Sequence, residues 1–199
     1  DITVDQVEII DPNFGPRESM ATAGGQIIRI RGSNFGIPGN INSLVQVYLT
    51  NEYIPFISED ASFSKLVESC QRIESLGIGN TQVDCLSPEG YGSDLRLYLK
   101  VKKIQSESYN QSEQFWVHHV NDEITVSYIP PYIARVHINK PLRTQGGEPV
   151  SLHGVNFGPK NVSFRIVVEY GPNGIGICAK NCTIVVAHTE IRCFSSVGR

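Results

Sequence analysis

Two stretches of this chain are nearly the same. Gly24–Gly36 reads GGQIIRIRGSNFG and Gly146–Gly158 reads GGEPVSLHGVNFG, at an offset of 122 residues. A second pair, TQVDCLSPEG (Thr81–Gly90) and TEIRCFSSVG (Thr189–Gly198), lies at an offset of 108. Both halves keep one order: a Gly-Gly turn, a strand, an Asn-Phe-Gly turn, a strand, a cysteine, then a Thr-x-x-x-Cys strand. A block repeated at this length means one fold made twice. The first copy holds 14 extra residues before its second cysteine, the difference between the two offsets.

The residue types inside the repeat have backbone reasons. Ile28 and Ile30 share one face of a strand and Arg29 and Arg31 the other; in the second copy Val150 and Leu152 oppose Ser151 and His153. Period two of this kind means one buried face and one wet face. The Gly pairs allow positive φ on entry to the strand. Phe35 and Phe157 are expected to fold back as apolar plugs, with Gly36 and Gly158 permitting the turn. Elsewhere short β-branched and aromatic runs sit between Gly, Pro, Asn and Asp, and helix signals are scarce. The expected class is all-β with many short strands.

Composition narrows the possibilities. Apolar residues are 40% of the 199, enough for a packed core. No run approaches the roughly 18 apolar residues of a membrane helix. A net charge of −3 without a Lys/Arg cluster argues against nucleic-acid binding, which relies on phosphate neutralisation. The densest basic stretch, LKVKK (Leu99–Lys103), alternates like the wet face of a strand. The start at Asp1, without an initiator Met or a signal-peptide pattern, is expected of a mature product or an excised piece.

GPRESMATAGGQIIRIRGSNFG and PYIARVHINKPLRTQGGEPVSLHGVNFG resemble the opening of IPT/TIG domains, immunoglobulin-like units of plexins and related surface receptors. That family's pattern continues with a cysteine, a Thr-x-Ile-x-Cys strand and a Pro-Gly turn. Cys70, TQVDC and SPEG supply these in the first copy; Cys182, TEIRC and SSVG do so in the second, where Ser replaces the Pro. The segment VSYIPPYIARV (Val126–Val136) resembles the family's usual join. The resemblance covers almost the whole chain. It implies two consecutive immunoglobulin-like β-sandwiches, residues 1–128 with an insertion at about 51–69, and residues 129–199. Everything after Tyr91 in the first copy lacks a counterpart, so the second sandwich is expected to lack its last two strands. Such a unit would expose core and unpaired backbone. The missing part could belong to a longer repeat array, come from another chain by strand complementation, or be dispensable in a reduced sandwich. The N-terminal DITVDQVEII alternates enough to act as a donor strand. Two prolines at the join favour a semi-rigid, end-to-end arrangement. In the insertion, Phe63, Leu66, Val67 and Cys70 have helical spacing, and a loop cover is the equal alternative.

The five cysteines form no C-x-x-C zinc pair. The family pattern implies Cys70–Cys85 and Cys182–Cys193 disulfides. Cys178 is then left over: it can bond a missing strand or another chain, stay a free thiol, or replace Cys182 as the partner of Cys193. N-x-S/T sequons stand at Asn110, Asn161 and Asn181. The first two sit in polar turns, as a glycan requires, whereas Asn181 precedes a cysteine expected to be bridged. Paired cysteines and turn-placed sequons favour the secretory pathway.

Patterns for chemistry are weak. His118-His119 would point to opposite faces of a strand and cannot easily share a metal. His137, His153 and His188 are isolated, and GPNGIGIC (Gly171–Cys178) reads as a hairpin turn, lacking the Lys-Ser/Thr of a phosphate loop. SED (Ser58–Asp60) and NDE (Asn121–Glu123) lack the spacing of a calcium loop. Trp116, the single tryptophan, reads as strand core or as a contact residue. No catalytic, cofactor or metal residue is therefore expected. The chain is expected to be a non-enzymatic, extracellular adhesion, recognition or structural module of a larger cell-surface glycoprotein. Its partner would be a protein or a second copy, bound through the 51–69, 105–114 and 171–177 segments and through strand edges, with no nucleic acid and no membrane insertion. The alternatives are a self-assembling filament subunit and the dimerisation unit of a Rel-type transcription factor, which would keep its cysteines reduced. An accessory domain of a starch-type enzyme is a remoter possibility.

Overall fold

Short apolar runs separated by Gly, Pro, Asn and Asp become strands throughout, because a half-buried run of five to seven residues stabilises a pleated segment and its flanks stop it. The computed structural model describes residues 2–35, 45–50, 68–72, 81–105, 113–160, 166–172 and 176–198. Among them are fourteen strands and no helix. The chain divides into two compact units, Asp1–Tyr128 and Ile129–Arg199.

The first unit contains β1 (Thr3–Asp11), β2 (Gly15–Arg17), β3 (Ile27–Ser33), β4 (Val45–Thr50), β5 (Glu68–Arg72), β6 (Gln82–Leu86), β7 (Leu95–Gln105) and β8 (Glu113–Val126). They hydrogen-bond in the order β2-β1-β3-β6-β5-β4-β7-β8. Every ladder is antiparallel. β5 joins the two halves of this sheet: its first residues pair with β4 and its last, Gln71 and Arg72, pair with β6. Side chains from both halves meet in one core, with Val4, Ile9, Ile28, Ile30 and Val83 against Val47, Leu49, Leu97, Leu99 and Val101. That is the layered packing of a β-sandwich. The single parallel contact described is the bridge from Met20, fully buried, to Tyr128.

The second unit contains β9 (Tyr132–Ile138), β10 (Pro149–Val155), β11 (Glu169–Tyr170), β12 (Ile177–Cys178), β13 (Lys180–Val186) and β14 (Glu190–Phe194). Its main sheet runs β13-β14-β10-β9. This repeats the order β5-β6-β3-β1 of the first unit. β11 and β12 form a separate two-stranded antiparallel ladder; residues 173–175 of the expected hairpin turn lie outside the described residues. Leu152, Phe157, Ile184, Ile191 and Cys193 make its smaller core.

Equivalent corners are built atom for atom. In the first unit the Gly25 N–H donates to Ser87 O (2.9 Å), Ser87 N–H to Gln26 O (2.7 Å) and Gln26 N–H to Ser87 Oγ (3.0 Å). In the second, Gly147 N–H donates to Ser195 O (2.9 Å), Ser195 N–H to Glu148 O (2.8 Å) and Glu148 N–H to Ser195 Oγ (3.0 Å). Phe35 and Phe157 are buried, as the plug reading expects. The glycine that admits each ring is not the one after it. A Cβ on Gly32 would lie 2.0 Å from Thr3 O and 2.8 Å from Phe35 Cζ, and one on Gly154 1.9 Å from Tyr132 O and 2.7 Å from Phe157 Cζ. The left-handed turn residues are Asn34 (φ 66°) and Asn156 (φ 61°), with Gly158 at φ 90°; Gly36 lies outside the described residues.

Two expectations change. The strand β5 begins at Glu68 and Cys70 pairs with Val47, so the segment carrying Cys70 is extended; ladder bonding to β4 overrides its helical spacing, while residues 51–67 lie outside the described residues. The N-terminal run is already in use. β1 pairs with β2 and β3 in its own unit and buries Val4 and Ile9, so donating it elsewhere would strip the core.

Candidate functional site

The outward face of the first unit closes on itself. Arg29 stands in β3 opposite Glu8 of β1 and Asp84 of β6. Its Nε donates to Asp84 Oδ1 (3.0 Å) and its Nη2 to Asp84 Oδ2 (2.8 Å). Asp84 also accepts from Gln82 Nε2 at 3.1 Å, and its side chain is fully buried. Arg31 Nη1 reaches Glu8 Oε1 and Gln6 Oε1, both at 3.2 Å. The hydrogen bonds to Asp84 hold the Arg29 guanidinium still more firmly in its charged form. On the β4–β7 pair, Tyr48 and Tyr98 face each other edge-on with ring centroids 6.4 Å apart. Burial pushes the Tyr98 hydroxyl up to about 12 and raises that of Tyr48. These hydrogen bonds, ion pairs and ring contacts tie neighbouring strands of the face to one another.

The second unit differs on both faces. On its core side, β9 is the last strand of the sheet. Ile133, Val136 and Ile138 are 49%, 50% and 41% exposed. Their counterparts by ladder position, Val4, Val7 and Ile9, are packed in the first unit's core, where Val4 and Ile9 are 6% and 5% exposed. In the first unit β7 and β8 supply the opposing layer; among the described residues of the second unit no pair of strands takes that place. On the outward side, a groove of about 410 Å³ is lined by His137, Asn139, Pro149, Ser151, His153, Glu190 and Arg192. The residue equivalent to Arg29 here is Ser151, so the row His137–Ser151–Arg192 is low in the middle.

Cys182 and Cys193 form a disulfide between β13 and β14. They meet where the ladder shifts between Lys180 and Thr183, a bulge that places Asn181 at φ 51°. Cys178 is a free, exposed thiol. It lines, with Cys182, a cavity of about 490 Å³. Its ladder partner is Glu169, whereas Cys70 pairs with Val47, the position 122 residues earlier. Cys178 thus takes the place of Cys70 in the ladder, although Cys182 makes the bridge. Cys85 is disulfide-bonded; the side chain of Cys70 lies outside the described residues. Asn181 is exposed on β13, and Asn110 and Asn161 lie outside the described residues.

Of the other residues singled out, His118 pairs with Lys100, His119 with Leu99 and Trp116 with Lys102 along β7–β8, their side chains outside the described residues. Residues 106–112 and 173–175, the tips of two expected recognition segments, are likewise outside. No group of three or more His, Cys, Asp and Glu that could hold a metal ion occurs among the described residues. Sequence reasoning missed the Ser151 groove. The period-two pattern put Ser151 and His153 on a wet face and left His137 isolated; only cross-strand register sets His137, Ser151 and Arg192 side by side. Comparison with protein-family models, with curated proteins and with solved structures finds no match to this chain.

Proposed function

We propose that this chain is a non-enzymatic extracellular recognition or adhesion module, built of tandem IPT/TIG-type units within a larger cell-surface glycoprotein. The observation that carries this reading is the apolar row Ile133–Val136–Ile138 on the last strand of the second unit's sheet, exposed where the same row is buried in the first. A terminal strand with an uncovered apolar face suits protein contact by strand addition. Burying the three side chains would contribute about 2 kcal/mol each. The Cys182–Cys193 disulfide supports an oxidising compartment and opposes the reduced, Rel-type alternative.

A second reading rests on the same strand: a neighbouring chain completes the second unit and the molecule polymerises. Its donor cannot be β1 without unmaking the first unit's core. Two measurements test these readings. Secretion from a eukaryotic cell followed by non-reducing peptide mapping should give Cys182–Cys193 bridged and a glycan on at least one of Asn110, Asn161 and Asn181. Reduced cysteines and bare asparagines would remove the extracellular reading. Light scattering of the purified chain separates the two forms, since monodisperse particles oppose the filament and polymers support it.

A further inference from the structure

We propose that the outward groove of the second unit binds an acidic saccharide, a sugar chain bearing carboxylate or sulfate groups. Three observations lead there. First, the same sheet face in the two units has opposite states. Where the first unit sets Arg29 between Glu8 and Asp84 and satisfies its charges internally, the second sets a serine between His137 and Arg192. Second, the space vacated by the long side chain is a groove of about 410 Å³, within the size range of small-ligand sites. Its walls are hydrogen-bonding groups: Asn139, with Oδ1 2.7 Å from His137 Nε2, Ser151, His153, and Glu190 beside Arg192. Third, the charge is unevenly divided. Residues 129–199 carry eight Lys/Arg against three Asp/Glu, a net +5 in a chain whose total is −3. Arg135, across from His153, and Lys180, across from Phe194, belong to the same face of the sheet.

The division of labour follows from donor and acceptor types. Among the described residues Arg192 makes one side-chain ion pair, Nη2 to Glu190 Oε1 of its own strand at 3.4 Å, and its side chain is 53% exposed. Its guanidinium fork suits a carboxylate or sulfate oxygen pair. Asn139 and Ser151 offer amide and hydroxyl groups to sugar hydroxyls, and Glu190 accepts from them. A flat acidic protein surface would find less here, because the anionic group must descend between His137 and Arg192 to reach Ser151.

The inference deepens the recognition reading by naming a ligand class. It relies on the secretory address only for where the saccharide comes from. The test uses the purified intact chain, so failure to bind and failure to be secreted are separate results. A sulfated oligosaccharide (heparin-derived) and a carboxylated one (hyaluronate-derived) are titrated by calorimetry, with an uncharged oligosaccharide as control. Loss of one charge-assisted contact is worth about tenfold in affinity or more. Arg192→Ser should therefore weaken binding by about tenfold. Ser151→Arg, which restores the residue type of the first unit, should weaken it by a similar factor despite adding a positive charge. Lys160→Ser, a charge change away from the groove, should stay within about twofold. Retention of the Cys182–Cys193 bridge checks that each variant is folded. Stronger binding by Ser151→Arg, or equal losses for Arg192→Ser and Lys160→Ser, would reduce the effect to bulk charge and overturn the site. So would no binding of either acidic probe, or salt-sensitive self-association in its place. The arm that binds tells sulfate from carboxylate.

Discussion

Glu148 and Gln26 occupy equivalent corners of the two units and show how one difference rewires a repeated geometry. The Gln26 side chain accepts from the Ala21 backbone N–H. Glu148, at the equivalent place, accepts from Arg143 Nε (2.6 Å) and from Ser195 Oγ (2.7 Å). The Arg143 hydrogen bond, aided by that from Ser195, holds the Glu148 carboxyl down to about 2 from its ordinary 4.5. A carboxyl lowered on folding stabilises the folded form above its unfolded value, and that stability is lost as pH falls through the folded value. The second unit should lose stability between about pH 4.5 and about pH 2. Glu148→Gln should lower the midpoint at pH 6 and flatten the acid limb. Thermal unfolding followed by circular dichroism at several pH values checks this; an unchanged slope in the variant would remove Glu148 as its source.

At the scale of the element, β3 and β10 carry the fold, since each is paired on both sides and contributes to the core. The next-to-last residue of each, Gly32 and Gly154, is a glycine pressed against the neighbouring strand. Gly154→Ala would put a methyl group 1.9 Å from Tyr132 O, so β9 must move away from β10. The expected loss is about 2–4 kcal/mol. At Gly147 (φ 92°) a Cβ meets nothing within 4 Å, so Gly147→Ala should cost only the left-handed strain of about 1 kcal/mol. Denaturant titration of the two variants compares them, and hydrogen exchange should show β9 unprotected in Gly154→Ala alone. Equal losses would mean that the close approach of β9 and β10 relaxes at no cost. The positions were legible as glycines of a turn-rich repeat. Nothing in the local pattern marked Gly32 and Gly154, because the atoms that crowd them, Thr3 O and Tyr132 O, belong to a strand distant in sequence.

For the whole molecule, the two units differ in the size of their cores, and each contains a disulfide-bonded cysteine, Cys85 in the first and Cys193 in the second. The first buries a broad core from two half-sheets. The second has a five-residue buried cluster and a bridge whose cysteines are 11 residues apart. A loop of that size contributes about 3 kcal/mol. Cys182→Ser with Cys193→Ser should therefore lower the melting of the second unit and leave that of the first in place, giving separated transitions in calorimetry. A joint shift of all the heat absorption would mean that the units melt as one. Period-two alternation, the Gly-Gly and Asn-Phe-Gly turns and the paired repeat blocks were enough to define an all-β chain, because strand propensity and turn geometry depend on near neighbours in sequence. The Cys182–Cys193 pairing came with the family resemblance. Tertiary structure alone decided that Arg29 meets Asp84 while Ser151 leaves a gap beside Arg192, that Val136 is bare where Val7 is covered, and that Cys178 takes the ladder place of Cys70. Each depends on which residues stand opposite one another across strands distant in the chain, and a single strand's own pattern does not contain its partner's register.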